Sequence, residues 1–116
     1  MAVATLDRSS LEAVARLFGV LAEATRLEIL QTLKEGPRSV SDLVDSLGAK
    51  QANVSKQLGI LYAAGLLSRE RDGTAVRYGL AEPMIFDLCE LVCGKLRRDA
   101  ERQLEVLGGA QKRRRK

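Results

Sequence analysis

SVSDLVDSLGAKQANVSKQLGILYAAGLLSRERDGTAVRYGL, residues 39 to 80, holds two short helical patterns joined by a glycine, then two strand patterns around the pair Asp72-Gly73. Ser39 followed three residues later by Asp42 has the form of a capping box, and Val40, Leu43, Val44 and Leu47 recur at the helical period until Gly48. A longer helix is predicted over about 50–64, with Val54, Leu58, Leu61 and Tyr62 inward and Gly65 at its end. Leu66 and Leu67 then lead into Ser68-Arg69-Glu70-Arg71. Asp72-Gly73 is a strong turn dipeptide, and beyond it Val76, Tyr78 and Leu80 alternate with Ala75, Arg77 and Gly79, the pattern of a strand buried on one face.

Two further helices are expected before this stretch. Ser9 with Glu12 opens the first, over about 9–22, and Leu11, Val14, Ala15, Phe18 and Leu21 recur at helical spacing. Thr25 with Glu28 opens the second, and Leu27, Ile29, Leu30 and Leu33 give it a buried face until Gly36-Pro37. After Pro83, a stripe of Met84, Ile85, Leu88, Val92 and Leu96 continues through Leu104 and Leu107 to a break at Gly108-Gly109. A helix over 83–107 is about 37 Å long at 1.5 Å per residue, more than a small domain covers alone, so part of its stripe is expected to face another subunit. The expected fold is mainly α with a small β-hairpin: a winged helix-turn-helix domain over residues 1–110, with a basic flexible tail over 111–116.

Composition narrows the function classes. The 116 residues suit one domain. No run approaches the length of a membrane span, and MAVATLDRSS has neither the basic nor the apolar region of a signal peptide, so a soluble, cytoplasmic protein without membrane association is expected. Five of the 19 Lys and Arg are the terminal Lys112, Arg113, Arg114, Arg115 and Lys116, which leaves 14 against 15 Asp and Glu in the remainder. The body is not basic overall, and a nucleic-acid reading must rest on where charge is placed. The tail reads equally as a phosphate-binding arm or as a solvated end. The chain has no His, no paired-carboxylate site and no Gly-rich phosphate loop, so catalysis has little to stand on and no enzyme is expected.

Charge placement is informative between 50 and 57. Lys50, Gln51, Asn53, Ser55, Lys56 and Gln57 surround Val54, the one clear core residue, with no acid among them. A groove walled by phosphates rejects carboxylates and accepts amides, hydroxyls and ammonium groups, and Gln or Asn can pair with adenine and Lys with guanine. A merely solvated helix face would interleave Glu with Lys, as residues 95–105 do. Arg69, Arg71 and Arg77 flank a hairpin tip too small to pack on anything, and such a basic wing beside a recognition helix reaches the neighbouring backbone or minor groove. Glu70 and Asp72 dilute its charge.

Residues 21–80 resemble the ArsR/SmtB family of bacterial winged-helix repressors, in the helix opening at Thr25-Arg26-Leu27, the segment Gln51 to Leu58 around Val54-Ser55, the Ala64-Gly65-Leu66 turn and the wing. The resemblance implies a homodimer whose first and last helices form the interface, and a repressor that leaves its operator when an inducer, often a metal ion or metalloid, binds. A dimer with two recognition helices is expected to cover an inverted repeat in double-stranded DNA. Departures are local. Lys50 stands where a capping Ser is common, a loss of roughly 0.5–2 kcal/mol that places a cation where a phosphate would lie. A His is common where Gln57 stands, and a Pro where Ala24 and Ala52 stand.

Neither metal site of that family transfers. The metalloid-sensing Cys pair has no counterpart in SVSDLVDSLG; the zinc-sensing Asp-x-His start is echoed by Asp87-Leu88-Cys89, but the later positions are Ala100 and Gln103. Cys89 and Cys93 remain, four residues apart on one helix face and about 6 Å apart at Cβ, a separation suited to sharing a thiophilic ion. Two are too few for tetrahedral zinc, whereas two helices of a dimer offer four thiolates. Persulfide, polysulfide or intersubunit disulfide chemistry stands beside that reading, as does plain packing of buried thiols with no cofactor. Two functions of other classes compete with a repressor: a winged-helix module for protein contact, and a thiol-redox enzyme, which lacks the Cys-x-x-Cys spacing.

Overall fold

The computed structural model describes residues 5–115, with side chains placed as far as residue 108. The chain divides into two compact units, Met1–Glu82 and Pro83–Lys116. The first holds α1 (Arg8–Leu21), α2 (Ala24–Leu33), β1 (Arg38–Ser39), α3 (Val40–Leu47), α4 (Gln51–Ala63), β2 (Leu67–Asp72) and β3 (Ala75–Leu80); the second is the single helix α5 (Met84–Arg115). Among the described residues, no helix is long and apolar enough to cross a membrane.

The core of the first unit is aliphatic. Ile29, Leu30 and Leu33 of α2, Leu43 of α3, and Val54, Leu58 and Leu61 of α4 are at most 2% exposed. Burying each such side chain stabilises the fold by about 1.5–3 kcal/mol. Their spacing of three and four along α2 and α4 is the helical period, which turns one face of each helix inward. Leu66 and Leu67 close the core from the start of the hairpin.

The helix starts differ in part from the sequence expectation. At α3 the capping box forms as read: Ser39 Oγ accepts from the Asp42 N–H, and the Asp42 carboxylate accepts from the Ser39 N–H. Gly48 closes that helix at φ 62°, a left-handed conformation that side chains with a Cβ rarely adopt. At α1 the cap is Asp7, whose carboxylate accepts from the Ser10 N–H, and Ser9 already lies inside the helix. At α2 the cap is Glu23, with one carboxylate oxygen on the Thr25 N–H and the other on the Arg26 N–H. The longer acid reaches two of the orphan donors, and Thr25 becomes the second residue of the helix. Both carboxyls are held below their ordinary pKa, Asp7 chiefly by the Ser10 backbone N–H and Glu23 chiefly by that of Thr25.

The hairpin gains a strand that the alternation pattern did not reveal. The sheet has order β1-β3-β2, all antiparallel, because Arg38 and Ser39 pair with Tyr78 and Arg77. Two residues are too short for any periodicity. Asp72 pairs with Ala75, so the two-residue loop is Gly73-Thr74, with Gly73 at φ 65° in its first position, as a type II′ turn requires. Asp72 is thus the last residue of β2 rather than part of the loop.

Several side chains read as inward lie at the surface of the single chain. Phe18 is 52% exposed, and Leu11, Val14, Leu27 and Tyr62 are also exposed. On α5, Ile85 is buried, whereas Met84, Leu91, Val92, Leu96, Leu104, Val106 and Leu107 are exposed. The helix also does not stop at Gly108-Gly109 but continues to Arg115, 32 residues in all. Glycine costs a helix about 1 kcal/mol relative to Ala, which weakens α5 at this pair without ending it. The tail expected to be flexible therefore begins inside α5. Its side chains, and Lys116 altogether, lie outside the described residues.

Candidate nucleic-acid interface

The helix α4 starts abruptly at Gln51 behind Lys50, which occupies the cap position without a side-chain cap bond. Its first N–H groups are therefore left for an outside acceptor, and the adjacent ammonium group suits an anion. Gln51, Ala52, Asn53, Ser55 and Lys56 are exposed, while Val54 turns to the core. Ala52 and Gly59, both exposed on the side away from Val54 and Leu58, leave room for close approach to a partner surface.

Gln57 does not belong to that exposed set. It is 7% exposed, its Oε1 accepts from Arg26 Nη1 at 2.7 Å, and its Nε2 donates to Asn53 Oδ1 at 3.0 Å. Arg26 is held in turn by the last turn of α1, donating from Nε to the Val20 carbonyl at 2.5 Å and from Nη2 to the Gly19 carbonyl at 3.4 Å. A cation at the carboxyl end of α1 satisfies carbonyls that the helix leaves orphaned and complements its dipole. Gln57 thus braces α4 to Arg26, and through Arg26 to α1. Its inward phase was available in the sequence, since it lies among Val54, Leu58 and Leu61; its partner, 31 residues away, was not.

The wing arginines diverge. Along the ladder, Arg69 and Arg71 pair with Tyr78 and Val76, whereas Arg77 pairs with Glu70 on the opposite face of the hairpin. Arg69, Arg71, Val76 and Tyr78 line a groove of about 420 Å³. The Arg69 guanidinium stacks on the Tyr62 ring, which joins the wing to the last turn of α4. Arg77 Nη2 donates to the Pro37 carbonyl at 3.1 Å, so this cation braces β3 to the segment before β1. Arg71 is left as an exposed wing cation with no ion pair among the described residues. Cys89 is half-buried and Cys93 exposed, both free thiols, and among the described residues no three potential metal ligands gather.

Residues 23–69, which run from the α2 cap into β2, match the family model described as bacterial regulatory protein, arsR family. Over 94 residues the chain is 38% identical to an HTH-type transcriptional regulator of Mycobacterium tuberculosis, Rv0081, spanning 80% of this chain and 82% of the relative. The chain belongs to the arsR family. The crystal structure of Rv0081 superposes on this arsR-family chain with a TM-score of 0.75 at 33% identity, covering 84% of this chain and 99% of the other. The homodimeric winged helix-turn-helix DNA-binding domain of Mb0332 from Mycobacterium bovis gives a TM-score of 0.68 at 30% identity, over 81% of this chain and 92% of that one. A probable mercury resistance operon repressor of Streptomyces lividans is 35% identical over 91 residues, 78% of this chain and 73% of the relative. The mainly helical winged helix-turn-helix architecture stands, with a three-stranded rather than two-stranded sheet. The arsR-family chain is a transcriptional regulator, and the relatives it matches are named as regulators rather than enzymes.

Proposed function

We propose that this arsR-family chain is a homodimeric, cytoplasmic repressor that holds an inverted-repeat operator through α4 and the wing and releases it when an inducer engages Cys89 and Cys93. The observation that carries the DNA reading is the exposed, acid-free amino-terminal face of α4 at Lys50, Gln51, Asn53, Ser55 and Lys56, with Arg69 and Arg71 on the adjoining wing. Carboxylates there would repel phosphate; amides and hydroxyls meet base edges, and the cations meet the backbone. Exposed apolar side chains on α1 and, separately, on α5 support self-association, since large apolar patches on a soluble protein ask for cover. The homodimeric Mb0332 domain supports the same assembly.

Support for the inducer reading is chemical. Cys89 and Cys93 lie one helical turn apart, free and at least partly accessible, as a thiol sensor requires. Among the described residues no third ligand gathers with the two thiols, so a tetrahedral metal would draw its remaining ligands from a second copy. The mercury operon repressor among the relatives makes thiophilic ions the first inducers to try. Operator release measured against a panel of thiophilic ions and sulfur oxidants, on the wild type and on the Cys89→Ser, Cys93→Ser double variant, tests the assignment. An inducer that acts on the wild type and not on the variant supports it; equal response of both places sensing elsewhere.

A further inference from the structure

Arg26, Gln57 and Asn53 form a hydrogen-bond chain whose polarity is dictated by chemistry. A guanidinium has donors only, so the Gln57 atom facing Arg26 Nη1 at 2.7 Å must be the carbonyl oxygen. The Gln57 amino group is thereby turned to Asn53, and the Asn53 atom that meets it at 3.0 Å must be an acceptor, Oδ1. Asn53 in the first turn of α4 is exposed, its oxygen is turned toward Gln57, and its Nδ2 has no partner among the described residues. The link from Arg26 to the α1 carbonyls of Gly19 and Val20 removes freedom from the far end of the chain.

We infer that Gln57 is a specificity-determining positioning residue: it orients the Asn53 amide so that α4 presents a pure donor at this position and selects a base with an acceptor edge in the major groove. The inference rests on the proposed reading of α4 as the groove-facing helix. Guanine offers O6 and N7 and thymine offers O4, whereas cytosine offers only its N4 donor. Asn53 therefore favours G or T over C, and the bidentate adenine pattern is left to Gln51, whose amide is exposed. Reversal requires only an acceptor in place of the Gln57 amino group. In the Gln57→Glu variant the introduced carboxylate accepts from Arg26 with one oxygen and from Asn53 Nδ2 with the other, which flips the Asn53 amide and turns Oδ1 outward to accept from cytosine N4.

The test is selection of randomised duplexes by the full chain, scored position by position, for wild type, Asn53→Ala, Gln57→Glu and Gln57→Met, with each fold checked by circular dichroism melting. One position per half-site should favour G or T over C in the wild type by about threefold to tenfold, as one well-placed hydrogen bond allows. N53A should flatten that position, Q57E should invert it toward C, and Q57M, which keeps volume and removes the donor, should flatten it. If N53A flattens a position while Q57E or Q57M leaves it as in the wild type, the positioning role of Gln57 is overturned. If N53A alters no position, Asn53 reads no base, and the groove-facing assignment beneath the inference fails. Should Q57E not fold, Q57M decides alone: a flattened position supports the role and a wild-type preference overturns it.

Discussion

The guanidinium of Arg69 lies 4.2 Å from the centroid of the Tyr62 ring, and this stack ties the wing strand β2 to the last turn of α4. Both partners are exposed, so the contact sets a direction more than it stabilises a core. Arg69 presented at sequence level as a phosphate ligand; here its charge also anchors the wing beside the proposed recognition helix.

Replacing Tyr62 by Leu keeps apolar volume and removes the ring face. Stability should fall by about 0.5–1 kcal/mol, the worth of an exposed cation–π contact, as read from the denaturant midpoint. Operator affinity should fall further than affinity for random duplex, since a loosened wing loses its register on DNA. A larger loss on random duplex than on operator would refute the anchoring role.

The two wing faces separate the arginines by role. Arg71→Ala should weaken operator and random duplex alike and reduce the slope of log affinity against log salt by about one unit per wing. Arg77→Ala removes the bond to the Pro37 carbonyl and should show mainly as a lower melting temperature, with a smaller change in salt slope than Arg71→Ala. The opposite ranking of the two slopes would return Arg77 to the phosphate contacts.

Self-association is checked on α5. Leu96 is 60% exposed, so Leu96→Asp adds a charge at no cost to the core of a single chain. In the proposed dimer it buries that charge unpaired, and sedimentation should show a folded monomer with weakened operator binding. A dimer of undiminished stability would place the interface elsewhere.

Glu23 makes a stability prediction with a definite sign. Its folded-state pKa is depressed below the ordinary value of 4.5, chiefly by the Thr25 N–H, so its contribution is present above that value and is lost as pH falls through the folded pKa. Glu23→Gln should flatten the part of the stability profile that declines below about pH 4.5, with Asp7 leaving a residual slope of the same sign. A profile of unchanged steepness in that range would show that the cap adds nothing to acid sensitivity.

Local chemistry made much of the fold legible in the sequence. The α3 capping box, the Gly48 turn, the buried faces of α2 and α4 and the hairpin each depend on residues within a few positions of one another, where the chain cannot avoid meeting itself. The acid-free start of α4 is likewise local, and the exposed positions at Gln51, Asn53, Ser55 and Lys56 follow from helical phase alone. Tertiary structure decided what depends on distant partners. It added β1, because two residues form a strand only when β3 lies beside them. It gave the inward Gln57 amide its partner, because Arg26, 31 residues away in the chain, is brought within hydrogen-bond reach. It split the wing arginines between two faces, because strand register fixes which side each occupies and a one-residue difference reverses the face. Composition had shown only that cations were present; pairing and packing determined which of them brace the fold and which remain free to meet a phosphate.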